Sequence, residues 1–183
     1  MRVGVLPVGQ VSREVLLELA QNLPKIFPET SCSIIRKPLA ISADAFVSKH
    51  AQYNSSAILN KIRLHELNNR LFSRVLGLID VDLFAAGLNY VFGEAYTPGK
   101  AALISLYRLK PEFYGEIANF EVFALRALKQ SVHEPGHTLG LKHCQRSSCV
   151  LHFSNSIFDT DKKQSLFCDN DYLQASLAIN MLG

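Results

Sequence analysis

The sequence predicts an α/β (α+β) fold, in which helices pack on a mixed, mostly parallel sheet within one domain. Its predicted elements follow the order β-α-β-α-β-β-β-α, after which the chain becomes irregular. No internal repeat, linker or abrupt change of composition divides the 183 residues, a length that suits one domain. Hydrophobic residues make up 48% and charged residues 19%, a balance that excludes wholesale disorder. We therefore expect residues 1–183 to form a single domain.

The first third of the chain alternates strand and helix signals. Met1–Pro7 alternates in polarity and contains β-branched residues, which predicts a strand. Ser12 can cap a helix that runs to about Phe27, because the apolar residues there recur every three or four positions. Ser31–Arg36 predicts a second strand, and a polar, irregular stretch then extends to Tyr53. This alternation is the main indication of an α/β fold.

The middle of the chain predicts a second helix and three strands. The helix covers residues 55–70, and the apolar run Ser73–Val81 is typical of a strand that is buried on both faces. Asn89–Phe92 and Ala101–Tyr107 are two further strand candidates, joined by a turn that contains proline and glycine. This short connection implies an antiparallel pair near an edge of the sheet.

The longest helical pattern is Glu121–Lys142, and the chain after it is rich in Ser, Asn, Asp and Cys. A short helix near Tyr172–Asn180 closes the predicted order. Three regions follow within the one domain. They are an α/β part over 1–120, an active-site helix with its continuation over 121–143, and a cysteine-rich tail over 144–183.

Charge and hydropathy exclude several classes of protein. The net charge of +3 is too small to be the electrostatic footprint of a nucleic-acid-binding protein, so we expect no nucleic-acid partner. No run of eighteen apolar residues is present, which predicts no membrane span. The N-terminal apolar stretch is short and contains Pro7 and Gly9, so it predicts a strand rather than a signal peptide. The expected compartment is the reducing cytoplasm, where cysteines serve as metal ligands or core residues more often than as disulfides.

The motif H-E-x-x-H begins at His133 and carries the predicted chemistry. His133 and His137 are four residues apart on a helix, so both side chains lie on one face and can bind one zinc ion. Glu134 can then act as the general base toward a water molecule at that metal. The motif continues as H-E-x-x-H-x-x-G-x-x-H, in which Gly140 can end the helix in a left-handed conformation and His143 can return as the third ligand. Three nitrogen ligands leave a fourth position open, as a catalytic zinc site requires.

Pro135 lies inside this motif, between the two helical histidines. An interior proline removes a backbone donor and clashes with the preceding turn, at a cost of about 3 kcal/mol. A helix that began at Pro135 would leave His133 outside it. We therefore predict a kinked helix that continues through Pro135.

The extended motif and its flanks resemble the archaemetzincins, a group of small zinc metallopeptidase-like proteins. His133 to Cys149 follows the pattern H-E-x-x-H-x-x-G-x-x-H-C-x-x-x-x-C, and V-L-H-F-S-N-S comes after it. The stretches GLIDVDLFAAGLNYVFGEA and ISLYRL are also similar to that family. The resemblance implies a metzincin-like fold, a catalytic zinc ion and a second zinc ion held mainly by cysteines. The family pattern has methionine where this chain has Leu151, and a leucine of similar volume implies a modest change of packing.

Three cysteines of the tail could bind the second, structural zinc ion: Cys144, Cys149 and Cys168. A closed structural site takes four ligands, and Asp171 lies where the family pattern places its last cysteine. A carboxylate can bind zinc, although it is a harder ligand than thiolate. His152 is the other candidate for the fourth ligand, and three ordinary cysteines without a metal are the remaining alternative.

The predicted function is hydrolysis of peptide bonds by a zinc-dependent metallopeptidase with two zinc ions per chain. Glu134 takes a proton from the attacking water and passes it to the leaving amine. The expected substrate is a peptide or protein that lies extended along an exposed strand, for which Ala101–Tyr107 is the candidate. The alternative is a non-catalytic zinc-binding module, with a peptide-binding or structural role, on a peptidase-like scaffold.

Overall fold

The computed structural model describes residues 1–66 and 71–182. Its strands are β1 (Arg2–Val8), β2 (Ser31–Ile34), β3 (Phe46–Val47), β4 (Gln52–Asn54), β5 (Arg74–Ile79), β6 (Leu83–Phe84), β7 (Gly93–Ala95) and β8 (Ala101–Ser105). Its α-helices are α1 (Arg13–Ile26), α2 (Ser55–Glu66), α3 (Phe120–Thr138), α4 (Ile157–Lys162) and α5 (Asp169–Asn180).

The main sheet has five strands in the order β2-β1-β5-β8-β7. Neighbouring strands are parallel from β2 to β8, and β7 alone pairs antiparallel, with β8. The fold is therefore a mixed, mostly parallel sheet with an antiparallel pair at one edge, which confirms the predicted fold class. A second, small sheet has the order β3-β4-β6.

Apolar side chains cover both faces of the main sheet. One buried cluster contains Leu19 and Leu23 of α1 together with Ala127 of α3. The other contains Ile58 and Ile62 of α2. Every residue of β5 and β8 is buried, as expected for central strands covered by helices on both sides.

The predicted helices are present, and α3 ends earlier than predicted. Ser12 caps α1 as predicted, since its hydroxyl accepts a hydrogen bond from the Glu14 amide at 3.3 Å. The predicted continuation of α2 over residues 67–70 lies outside the described residues. Helix α3 ends at Thr138, four residues before the predicted Lys142, because Gly140 adopts a left-handed conformation with φ +90°.

Three short elements differ from the sequence prediction. The prediction of a strand over Asn89–Phe92 is wrong. The residues that pair with β8 belong to β7, which begins immediately after Phe92. Strands β3 and β4 lie in a stretch that was predicted to be irregular. Helix α4 lies in the tail, where only α5 was expected.

Buried charged groups fix the tail to α3. The Arg126 guanidinium pairs with both carboxylate oxygens of Asp161, at 2.8 and 2.7 Å. The Lys129 ammonium donates to the carbonyls of Thr160 and Asp161, both at 3.0 Å. These contacts hold the end of α4 against the helix that carries the histidine motif. Within the described ranges, no helix is long and apolar enough to cross a bilayer.

Candidate metal centres and substrate cleft

The end of α3 brings three histidines together. His133 and His137 both belong to this helix, which continues through Pro135 as predicted. The Gly140 amide donates to the His137 carbonyl at 2.8 Å, and the left-handed turn at this glycine redirects the chain. This turn returns His143 to the face of the helix that carries the other two histidines.

The spacing of the three imidazoles fits a tetrahedral zinc ion. The Nε2 atoms of His133 and His137 are 3.1 Å apart. One nitrogen from each of these residues and from His143 lies within 4.8 Å of the other two. Two nitrogens on a tetrahedral zinc ion lie about 3.3 Å apart, given Zn–N bonds of about 2.0–2.1 Å. The arrangement therefore needs little adjustment to hold the ion.

Backbone carbonyls orient the two helical imidazoles. His133 Nδ1 lies 2.8 Å from the Val150 carbonyl oxygen, and His137 Nδ1 lies 2.7 Å from that of Leu141. A carbonyl only accepts, so each Nδ1 carries the proton and each Nε2 presents its lone pair to a metal.

Desolvation favours the neutral form of these imidazoles, although His143 is the exposed member of the cluster. Desolvation, and next the Lys163 ammonium, lower the pKa of His133 well below its usual 6.5. Desolvation is also the main cause that lowers the pKa of His137 and that of His143. Neutral imidazole is the form that binds a metal ion, so the site is prepared for one at neutral pH.

The side chain of Glu134, a residue of α3, points toward the edge strand β7. Its side chain is buried, and desolvation raises its pKa to about 8 although the Lys163 ammonium opposes the shift. A Cβ atom placed on Gly93 would lie 2.6 Å from the Glu134 Oε1 atom, so β7 passes directly over this carboxyl group. Glu134, Gly93 and the three histidines line one cavity of about 740 Å³.

The predicted cysteine site is also assembled. The Sγ atoms of Cys144 and Cys168 are 3.8 Å apart, the separation of about 3.8 Å that two thiolates have on tetrahedral zinc. Asp171 Oδ2 lies 3.1 Å from the sulfur of Cys149 and 3.2 Å from that of Cys168. All four ligand atoms lie within 4.8 Å of one another. The donor set therefore fits a four-coordinate zinc ion.

His152, the other candidate for the fourth ligand, is not in this cluster. Its Nδ1 atom lies 2.9 Å from the Cys144 carbonyl oxygen, so the imidazole supports the chain beside the site. The structure thus brings Asp171, rather than His152, to the three thiols.

The two clusters meet at consecutive residues, His143 and Cys144. The His143 imidazole belongs to the histidine cluster, and the Cys144 sulfur belongs to the cysteine cluster. The Cys144 amide donates to the Leu151 carbonyl at 3.0 Å. Leu151 is fully buried, and a Cβ on Gly136 would lie 2.9 Å from its Cδ2 atom, so the residue packs tightly under α3.

The prediction that Ala101–Tyr107 is an exposed, peptide-binding strand is wrong. Strand β8, the first five residues of the predicted Ala101–Tyr107, is buried throughout and pairs with β5 on one side and β7 on the other. Strand β7 forms the edge of the main sheet instead, and its Gly93 and Glu94 line the cavity. The accessible edge beside the histidines is therefore β7.

The cavity lining includes residues that were not singled out from the sequence, among them Gly93, Gln130 and Lys163. Gln130 precedes His133 by one turn of α3, so helical periodicity could have placed it on the same face. Gly93 lies at the end of a stretch that is similar to the family, but no local pattern assigns it a role. Lys163 lies in the tail, where no periodicity indicated that a lysine would be buried.

Comparison with known proteins agrees with this geometry. The family model for peptidase family M54 matches residues 10–174. The archaemetzincin of Methanocaldococcus jannaschii is 44% identical over 168 residues, which cover 92% of this chain and 89% of that protein. The archaemetzincin of Pyrococcus furiosus is 40% identical over 169 residues, which cover 91% of this chain and 88% of that protein.

Solved structures give the same result. The crystal structure of archaemetzincin from Methanopyrus kandleri superposes with a TM-score of 0.85 at 28% identity, over 98% of this chain and 96% of that one. The archaemetzincin from Archaeoglobus fulgidus, complexed with malonate, gives a TM-score of 0.80 at 34% identity, over 95% of this chain and 99% of that one. On the strength of the matched family model, these similarities and the assembled histidine motif, the chain belongs to peptidase family M54, the archaemetzincins.

Proposed function

We propose that this protein is a metzincin-type zinc metallopeptidase in which His133, His137 and His143 hold the catalytic ion and Glu134 is the general base. The observation that carries the proposal is the convergence of three neutral imidazoles and one buried carboxyl group on a single cavity. The expected substrate is a peptide or protein that lies along β7, the edge strand beside that cavity.

Zinc bound to the three histidines would supply Lewis acidity, which lowers the pKa of a water ligand and polarises a carbonyl group. Glu134 performs the proton transfers. Its carboxylate accepts a proton from the attacking water and later donates that proton to the nitrogen of the leaving amine. Ionised Glu134 is needed for the first of these steps, and the positive charges of a metal ion and of Lys163 both favour that form.

The second proposed zinc ion is structural and is held by Cys144, Cys149, Cys168 and Asp171. Its ligands come from the start of the tail and from the start of α5, so it would fix the intervening segment and the His143–Cys144 peptide at once. Two zinc ions per chain are therefore expected. Because no cysteine is paired in a disulfide within the described residues, we also propose a reducing compartment, the cytoplasm, where cysteines serve as metal ligands or core residues.

The test combines zinc analysis with digestion of a broad peptide library by the zinc-loaded protein. We expect two zinc ions per chain and cleavage that is lost in Glu134→Ala without loss of metal, because Glu134 is a base and not a ligand. Two zinc ions without cleavage of any peptide would favour the non-catalytic module. Loss of zinc from Glu134→Ala, with activity falling in proportion, would show that the assignment of Glu134 is wrong.

A further inference from the structure

A buried lysine lies in the wall of the candidate active-site cavity. Lys163 follows the last residue of α4, and only 2% of its surface is exposed. It nevertheless lines the cavity that contains the histidines and Glu134. Lysine is almost never fully buried in proteins unless it is paired with an acidic group.

The contacts of Lys163 do not supply that acidic group. Its ammonium donates to the His152 carbonyl oxygen at 3.1 Å and lies 3.3 Å from His133 Nδ1. The His133 nitrogen carries its own proton toward the Val150 carbonyl, so it offers Lys163 no lone pair. Within residues 1–66 and 71–182, Lys163 forms no ion pair with a carboxylate. A buried cation with three N–H donors thus has one carbonyl acceptor and no carboxylate in contact with it, and the charge of Glu134 acts on it only from beyond ion-pair distance.

Gln130 is a second buried polar residue in the same part of the cavity. Its exposed fraction is 2%, and its Nε2 atom donates to the Thr160 hydroxyl at 3.0 Å. Gln130 lies one helical turn before His133, and Lys163 lies against the imidazole of that histidine. Both polar side chains therefore flank the histidine cluster, on the side of the cavity formed by α3 and the tail.

We propose that this part of the cavity is a substrate subsite for a carboxylate, with Lys163 as its counter-ion. The inference rests on the proposed peptidase function and specifies its substrate class. The carboxylate belongs to an aspartate or glutamate side chain next to the scissile bond, or to the C-terminus of a short substrate. A charge-assisted hydrogen bond to a buried ammonium distinguishes a carboxylate from its neutral amide strongly, because only the carboxylate neutralises that charge.

The test compares kcat/KM for matched peptides that differ in one carboxylate. One pair has Glu or Gln beside the scissile bond and an amidated C-terminus. The other pair has Gln at that position and a free or amidated C-terminus. We expect the wild-type protein to prefer the carboxylate of one pair by at least ~10-fold, and the pair that responds identifies its source.

Two variants separate the subsite from general electrostatics. Lys163→Met should reduce the preference to about twofold or less, since a methionine fills similar space without charge. Lys162→Met is the matched control, because Lys162 is the preceding residue of the same helix end but is exposed and does not line the cavity. It should leave the preference unchanged. A Lys163→Met protein that keeps the wild-type preference would overturn the proposal.

Binding measurements keep the inference independent of catalysis and of the folding of Lys163→Met. The same peptide pairs are titrated by calorimetry into zinc-loaded Glu134→Gln protein, which should not cleave them. Tighter binding of the carboxylate peptide, with no cleavage of any peptide by the wild-type protein, would support the subsite and contradict the peptidase. If the peptides are cleaved, but neither kcat/KM nor affinity changes with either carboxylate, the subsite proposal is wrong and the peptidase proposal is supported.

Discussion

Gly93 and Glu134 cannot both carry a side chain at their observed separation. A Cβ on Gly93 would approach both Cγ and Oε1 of Glu134 to 2.6 Å, and the Leu103 carbonyl oxygen to 2.7 Å. The edge strand therefore passes so close to the proposed base that only glycine fits between the base and β8. The position of β7 therefore depends on the position of the Glu134 carboxyl group, and a side chain at residue 93 would displace one of them.

Gly93→Ala is expected to displace Glu134 and to lower kcat/KM by at least ~10²-fold, the usual lower range of general acid–base catalysis. Zinc content should stay at two ions, because neither cluster contains Gly93. The measurement is steady-state hydrolysis with metal analysis of the same sample.

Gly115→Ala is the matched control for Gly93→Ala. Gly115 has φ +76°, but an added Cβ meets no atom within 4 Å. Its strain should destabilise the fold by roughly 1–2 kcal/mol without changing hydrolysis. Equal kinetic losses in the two variants would show that the Gly93 effect is not specific to Glu134.

His137→Ala should lose one zinc ion and retain the other. His137 contributes only to the histidine cluster, and the cysteine cluster has no atom in common with it. Cys149→Ser is the reciprocal variant, and it should lose the structural ion first. Metal analysis after gel filtration distinguishes these outcomes, and loss of both ions from His137→Ala would mean that the clusters are not independent.

Asp171→Cys should tighten the structural site, because thiolate is a softer ligand for zinc than carboxylate. We expect slower loss of zinc to a competing chelator and a higher melting temperature. Each 1 kcal/mol gained corresponds to a rise of roughly 2–4 °C for a chain of this length. Asp171→Asn should act in the opposite direction. Identical chelator resistance in all three proteins would mean that Asp171 is not a ligand.

Zinc binding at the histidine cluster should resist mild acidification. Three histidines with the usual pKa of 6.5 would each be half protonated at pH 6.5, which would weaken zinc binding by about 8-fold. The pKa of each cluster histidine is lowered, chiefly by burial, so protons compete only at lower pH. Competition against a chelator of known pH dependence should show little change between about pH 8 and 6.5, and a decline below. An 8-fold loss already at pH 6.5 would contradict the lowered pKa values.

The histidine set could be predicted from the sequence because its spacing is local, whereas the cysteine set was expected from the family resemblance, since Cys168 and Asp171 lie far along the chain from Cys144. His133 and His137 are set by one helical turn, and His143 by a glycine turn that the motif itself contains. Adjacent residues such as His143 and Cys144 point to different sides of an extended chain, so two neighbouring clusters were also predictable. The structure places the residues together, and the metals themselves stay predictions.

The sequence analysis placed the exposed strand at Ala101–Tyr107, whereas β7 is the edge strand beside the cavity. The composition of the two strands did indicate the difference. Strand β8 is apolar on both faces, the pattern of an interior strand, whereas β7 contains Gly93 and Glu94. Helix α4 also had a signal, since Ser156 and Asp159 form a capping box at its start. Lys163 had none, because its burial results from packing of the tail on α3 and not from a local pattern.

The contact between His133 and the Val150 carbonyl has a consequence for the order of biosynthesis. A nascent chain that has emerged from the ribosome only as far as the third histidine contains the whole motif, but it lacks Val150, Lys163 and the residues that complete the cysteine cluster. In such a chain the tail does not yet supply the Val150 carbonyl oxygen that accepts the Nδ1 proton of His133. The histidine cluster can therefore reach its final arrangement only after Val150 and the later residues of the tail have emerged, so a nascent chain that ends at the third histidine would not carry a finished cluster beside other newly made proteins.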